Sequence, residues 1–322
     1  MPNVADTDAM FMGCFDLEHC YLSMPCVTTA REMFDSCTSL IYVDTLDMPK
    51  LTDSYRMFYA CSALSSVHLE NVTDMTSCSE MFTGDEMLRT VLLSYPSVAS
   101  VAVYYKWGNC SRMFAGCGDL TISADNYSAY IFRNATNCER MFAGDAWYDS
   151  TYTSPDYYPS LKFEGICVDT SKMTNITNMF DGRRIKDAYT AELIGRVAHY
   201  SILSSSQSMG SIFIEEPSYL DNLDLMGAWS RSEAEEVSGK SYSKIELSKP
   251  NGSTVNISLT VYCDTEKYNQ YSDPYAALDI VEGSPYIPDA SSWYDDNSAF
   301  LSANGVEITS VHDGYAWGTK NS

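Results

Sequence analysis

The chain has 322 residues, 45% of them apolar, which is enough for a substantial core and too many for a disordered chain. Asp and Glu number 43 against 20 Lys and Arg, and the resulting formal charge of −23 repels phosphate backbones and anionic lipid. Nucleic acid and membrane surfaces are therefore poor partners, and no apolar run reaches the ~18 residues that a spanning helix needs. The opening Met1-Pro2-Asn3-Val4-Ala5-Asp6 carries neither a basic nor an apolar stretch, so no signal peptide is predicted.

The first half is organised by a repeat. Met10, Met33, Met57, Met81, Met113, Met141 and Met179 are each followed by Phe, at spacings of 23, 24, 24, 32, 28 and 38 residues. Cys14, Cys37, Cys61 and Cys117 stand four residues after Met, with Asp85 and Asp145 in that place in two repeats, and Cys78, Cys110 and Cys138 stand three before it. Leu17, Leu40, Leu64, Leu88 and Leu120 stand seven after Met, and Cys20, Val43, Val67 and Val91 stand ten after. The alternation around Val67 and Leu69 predicts a short half-buried strand in each unit. A unit of about 24 residues cannot bury its own apolar face, so neighbours must stack, and longer repeats are expected to put their added residues into surface loops.

The strings Met33-Phe34-Asp35-Ser36-Cys37-Thr38-Ser39-Leu40, Met57-Phe58-Tyr59-Ala60-Cys61-Ser62-Ala63-Leu64 and Asn71-Val72-Thr73-Asp74-Met75 resemble the BspA-type leucine-rich repeat. The resemblance spans about residues 7–183 and weakens from Met113 on. It implies a right-handed leucine-rich-repeat solenoid of about seven irregular units, used for adhesion or surface recognition, and it implies no enzyme chemistry. Fold alone does not name the ligand.

Eleven cysteines leave at least one thiol unbridged within the chain. Those at the two repeated positions read as small buried apolar side chains, with disulfides and metal binding as the rival readings. Beyond the repeats, Lys186 to Leu203 reads as a helix that caps the solenoid, and Ser204 to Gly210 reads as a linker. The remainder reads as a small β-rich domain. Ile245 and Leu247 alternate on one side of Pro250-Asn251-Gly252-Ser253, and Val255, Ile257, Leu259, Val261 and Cys263 alternate on the other, as in a hairpin. The expected organisation is thus a solenoid over 1–186, a capping helix and linker over 187–210, and a β-rich domain over 211–322 that anchors or oligomerises it.

Four histidines in unrelated contexts, with no nucleophile elbow and no His-Glu-x-x-His helix, make a catalytic site, a cofactor or a metal centre unexpected. Asp221 to Asp224 and Asp295 to Asn297 lack the spacing of an EF-hand loop. The long repeat after Met141 holds Trp147, Tyr148, Tyr152, Tyr157 and Tyr158 among hydroxyls and carboxylates, and the earlier excess holds Tyr104, Tyr105 and Trp107. These rings either stack on sugar or protein ligands or cover the core, and the residues alone leave both readings open. The outward strand positions Tyr42, Asp44, His68 and Glu70 form a third candidate surface. The function expected is non-enzymatic recognition of a cell-surface glycan or protein by a phage virion component of the tail, fibre or head-decoration kind, with other assembly subunits as further partners. A secreted bacterial surface adhesin, a purely structural virion role and a glycan hydrolase in the second half are the rivals.

Overall fold

The structure, a computed structural model, describes residues 3–94, 103–124, 129–145, 154–223, 230–231, 235–237, 240–251, 255–272, 287–288, 306–312 and 315–320. The repeats lay down β1 (His19–Ser23), β2 (Tyr42–Asp47), β3 (Ser66–Glu70), β4 (Thr90–Ser94), β5 (Val103–Tyr104), β6 (Leu120–Ala124), β7 (Ala129–Ile131), β8 (Ser160–Glu164), β9 (Ile166–Val168) and β10 (Arg183–Ile185). Helix α1 (Ala188–Tyr200) follows, then β11 (Gln207–Ile214) and α2 (Tyr219–Leu223). After these come β12 (Ser230–Arg231), β13 (Glu235–Val237), β14 (Lys240–Asn251) and β15 (Val255–Asp264). Contacts divide the chain into two compact units, Met1–Asp264 and Thr265–Ser322. The second holds α3 (Thr265–Ser272) and an antiparallel sheet in the order β16 (Ile287–Pro288), β18 (Tyr315–Lys320), β17 (Val306–His312).

Twelve strands of the first unit form one sheet in the order β1-β2-β3-β4-β6-β8-β10-β11-β15-β14-β12, with β13 also pairing to β14. From β1 to β15 every neighbouring pair is parallel. The expected fold class, a leucine-rich-repeat solenoid ended by a helix and followed by a separate β-rich domain, is corrected by this continuity. The sheet does not stop at the last Met-Phe pair: α1 sits between β10 and β11 in the chain, and pairing continues through β11 into the β14–β15 hairpin. The Ser-rich stretch read as a linker runs into β11, where a register shift between Ser208 and Ser211 surrounds Gly210 at a φ of 96°. Only glycine fits there, since a Cβ would lie 2.5 Å from the Asp181 Cβ.

Register explains the repeat. Val43 pairs with Val67 and Val67 with Val91, each 24 residues apart, so equivalent side chains meet across the ladder. The seven phenylalanines form a continuous stack from Phe11 through Phe34, Phe58, Phe82, Phe114 and Phe142 to Phe180, with centroids 5.2–5.6 Å apart and planes within 12°. The Met-Phe segment is a turn. Phe34, Phe58 and Phe82 N–H donate to the carbonyls of Met57, Met81 and Met113 in the next repeat, at 2.8–2.9 Å. The residue before each Met takes a positive φ, from 51° at Arg140 to 57° at Glu80 and Arg112. A second such position three residues after Met is filled by Gly13, Gly84, Gly116 and Gly182 and, at greater steric cost, by Ser36 and Ala60.

The three long repeats do not simply bulge outward. Each adds a strand, and β5, β7 and β9 pair in parallel as a second, three-stranded sheet. Consecutive insertions in register can satisfy one another's backbone groups, which isolated loops cannot. Leu40, Leu64, Leu88 and Leu120 are buried, and all eleven cysteines are free thiols, seven of them buried. Arg183 is fully buried and donates to the carbonyls of Phe142, Gly118 and Phe114, which take the place of water around its charge. In the hairpin, Ile245, Leu247, Leu259 and Val261 are buried as the alternation predicts, and Ile245 pairs with Val261.

Candidate functional site

Two open depressions of about 560 Å³ each lie on the first unit, and both contain tyrosines singled out from the sequence. The first is assembled from equivalent places in successive repeats, at the entries to β4, β6 and β8 and along β10. Met87 and Arg89 precede β4, Asp119 precedes β6, Tyr157 and Tyr158 precede β8, and Arg184 and Lys186 come from β10 and its end. Parallel pairing with one strand per repeat is what brings residues so distant in sequence to a single rim.

Tyr157 is 67% exposed, and the backbone of its turn is firmly held. It ends a single 3₁₀ turn, Pro155–Tyr157, capped by the Ser154 hydroxyl, which accepts from the Asp156 N–H. Arg184 Nη2 donates to the carbonyls of Pro155 and Asp156, both at 2.9 Å, while its guanidinium lies 4.5 Å over the Phe213 ring. Lys240 pairs with Asp156 at 3.0 Å. Asp119 Oδ1 accepts from the Ser160 N–H at 2.7 Å and the Ser160 hydroxyl at 2.9 Å. Partial burial pushes the Asp119 carboxyl up, but those two donors, with Lys186 and Arg89 nearby, outweigh it and hold it below its ordinary range. Gly118 must be glycine, because a Cβ would meet Arg89 Nη1 at 1.6 Å and the Glu86 carbonyl at 2.4 Å. The result is an exposed ring, on a turn with a fixed backbone, beside an ionised carboxylate and several cations.

The second depression lies where the small sheet meets α1. Tyr104 and Tyr130, paired across β5 and β7, stack at 5.1 Å, and the Arg133 guanidinium lies 4.0 Å over Tyr104. Val168, Asp169, Thr170 and Ser171 form another wall, and Arg196, Tyr200 and Ile202 close it from the helix side. Asp169 Oδ1 accepts from both the N–H and the hydroxyl of Ser171.

The other sequence candidates are placed as follows. Tyr105 and Trp107 are 1% and 0% exposed, and the indole N–H donates to the Val72 carbonyl at 2.9 Å, so both rings are spent on packing and not on ligand. Tyr42 stacks on His19 at 5.4 Å, and Asp44 is exposed on the same strand. His68 lies between the Thr45 and Ser94 hydroxyls at 3.3 and 2.6 Å, and Glu70 is half-buried. None of these four lines either depression. Trp147, Tyr148 and Tyr152 lie outside the described residues. Sequence reading missed Met87, Arg89, Asp119, Arg184, Tyr130, Arg133 and Tyr200, which sit in ordinary polar contexts and converge only through the register.

No helix among the described residues is long and apolar enough to cross a membrane. No curated protein and no solved structure matches the chain. Residues 1–95 and 28–154 match the profile of a family described as Mycoplasma protein of unknown function, DUF285, and together these matches cover just under half of the 322 residues. The family is one of BspA-like surface repeats, so the resemblance read from the Met-Phe strings holds at the level of the repeat.

Proposed function

We propose that the chain is a non-enzymatic recognition protein that holds a cell-surface glycan or protein in the depression around Tyr157. The observation that carries this reading is the exposed Tyr157 ring on a turn whose backbone is held by the Ser154 cap and Arg184, beside Asp119, Arg89 and Lys186. A flat ring with two side-chain torsions offers contact area at little entropic cost, and neighbouring carboxylate and cationic groups give a sugar's hydroxyls or a peptide's polar groups their partners.

The test is saturable binding of the full chain to intact bacteria and to their extracted surface polysaccharides. Tyr157→Ala should weaken binding at least tenfold, since losing about 1.4 kcal/mol of ring contact corresponds to that factor, with an unchanged melting curve because the ring is exposed. Unchanged binding by the variant would remove this depression as the site.

A further inference from the structure

We infer that the second depression, on the Tyr104 side, is a binding site for a sugar acid, a six-membered sugar ring carrying a carboxylate. The argument begins with charge. Acids outnumber bases 43 to 20, so a basic side chain readily finds a carboxylate. Arg31, Arg56, Lys106, Arg140, Lys162, Arg184, Arg196 and Lys240 all do so. Arg133, like Lys50, Arg89 and Lys172, makes no ion pair among the described residues, but it alone of these four has its charge against an aromatic face, that of Tyr104 at 4.0 Å. Tyr104 is in turn backed by Tyr130 at 5.1 Å, so the guanidinium rests on a two-ring platform, and its N–H groups make no hydrogen bond to the described residues.

A planar fork of donors without an acid partner is matched by a carboxylate, which takes two parallel N–H bonds. The rest of the depression suits the ring that carries it. Tyr200 and Ile202 are 59% and 61% exposed and offer an apolar face. Asp169 Oδ1 is engaged by Ser171, and Oδ2 accepts no hydrogen bond from the described residues, which leaves an acceptor for sugar hydroxyls. Arg196 is held by Glu192 at 2.7 Å and adds cationic potential while its charge is already matched. This site is independent of the Tyr157 depression, and the protein would hold two ligand sites on one unit.

The experiment titrates the full chain with glucuronic acid, galacturonic acid and N-acetylneuraminic acid, with glucose as the neutral control, and follows binding by calorimetry and ligand-observed NMR. A sugar acid should bind and glucose should not, and binding should weaken as salt rises. Arg133→Ala should lower affinity at least tenfold, and Lys50→Ala, which removes one exposed charge elsewhere, should not. Arg133→Lys keeps the charge without the fork and should fall between them; it also serves if the alanine variant folds poorly. The hexuronic and nonulosonic arms distinguish the two sources of the carboxylate. Equal binding of glucose, or affinity unmoved in both Arg133 variants, would overturn the inference. So would binding of an acidic peptide with the same Arg133 dependence in the absence of sugar-acid binding.

Discussion

Replacing Phe58 by Ala probes the phenylalanine column where its neighbours are best defined. The ring is fully buried and lies between Phe34 at 5.2 Å and Phe82 at 5.3 Å, nearly parallel to both. Truncating a buried Phe costs about 3–5 kcal/mol, and each lost ring pair adds about 0.5–1.5 kcal/mol beyond area, so a value near the top of the range, ~4–5 kcal/mol, is expected. Phe11 is half-buried and, among the described residues, stacks only on Phe34, so Phe11→Ala should cost about 1–2 kcal/mol by the same accounting. Urea titration followed by tyrosine and tryptophan fluorescence gives both numbers. A Phe34→Leu/Phe58→Leu double-mutant cycle should return a coupling of about 1 kcal/mol. If Phe58→Ala cost no more than Phe11→Ala, the stack would not be a principal source of cohesion between repeats.

Two further outcomes follow from buried groups. Asp85 takes the core position that Cys37, Cys61 and Cys117 fill in other repeats; its Oδ1 accepts from the Cys61 N–H at 2.7 Å, and its Oδ2 has no partner among the described residues. Burial holds its carboxyl well above the ordinary range, so the folded chain keeps a proton that the unfolded chain loses, and stability falls as pH climbs from ~4 toward the folded value. Asp85→Asn keeps the shape and the acceptor without ionising. It should therefore be more stable than the parent at pH 7 and equal to it near pH 3, and a difference in melting temperature that ignores pH would refute this reasoning. Gly195→Ala should destabilise by about 1–3 kcal/mol although alanine is the better helix former, because its Cβ would lie 2.1 Å from the Leu223 carbonyl where α1 meets α2. A raised urea midpoint would mean that the two helices separate easily.

What could be read from the sequence was whatever repeats at a fixed offset. Met33, Phe34, Cys37 and Leu40 recur in phase, and each of these positions is buried because neighbouring units pair in register. The alternation from Val255 to Cys263 was equally plain, since one face of a strand is buried and the other is not. Features that depend on pairing between distant segments left no such trace. Nothing local in Ser208-Met209-Gly210 distinguishes a bulged strand from a linker, because the distinction is made by Ile212 pairing with Arg183 and Val261. Likewise Trp107 sits among polar neighbours, and only the position of the Val72 carbonyl reveals that its indole is a core group. Arg89, Asp119 and Arg184 meet for the same reason: the rim of the depression is a product of register, and register is not a property of any one segment.

The uniform offset has a consequence for how such a chain can change length. Excising Phe34 to Met57 would join Met33 directly to Phe58, restoring a Met-Phe pair and the spacing on either side. The adjoining strands would still meet in phase, and the sheet would shorten by about 4.8 Å, one strand spacing. Duplicating the same segment would lengthen it by as much. Neither event touches the residues around Tyr157 or Arg133, which belong to later repeats. The early repeats can thus act as a spacer whose reach is set in whole units while the two depressions beyond it stay as they are.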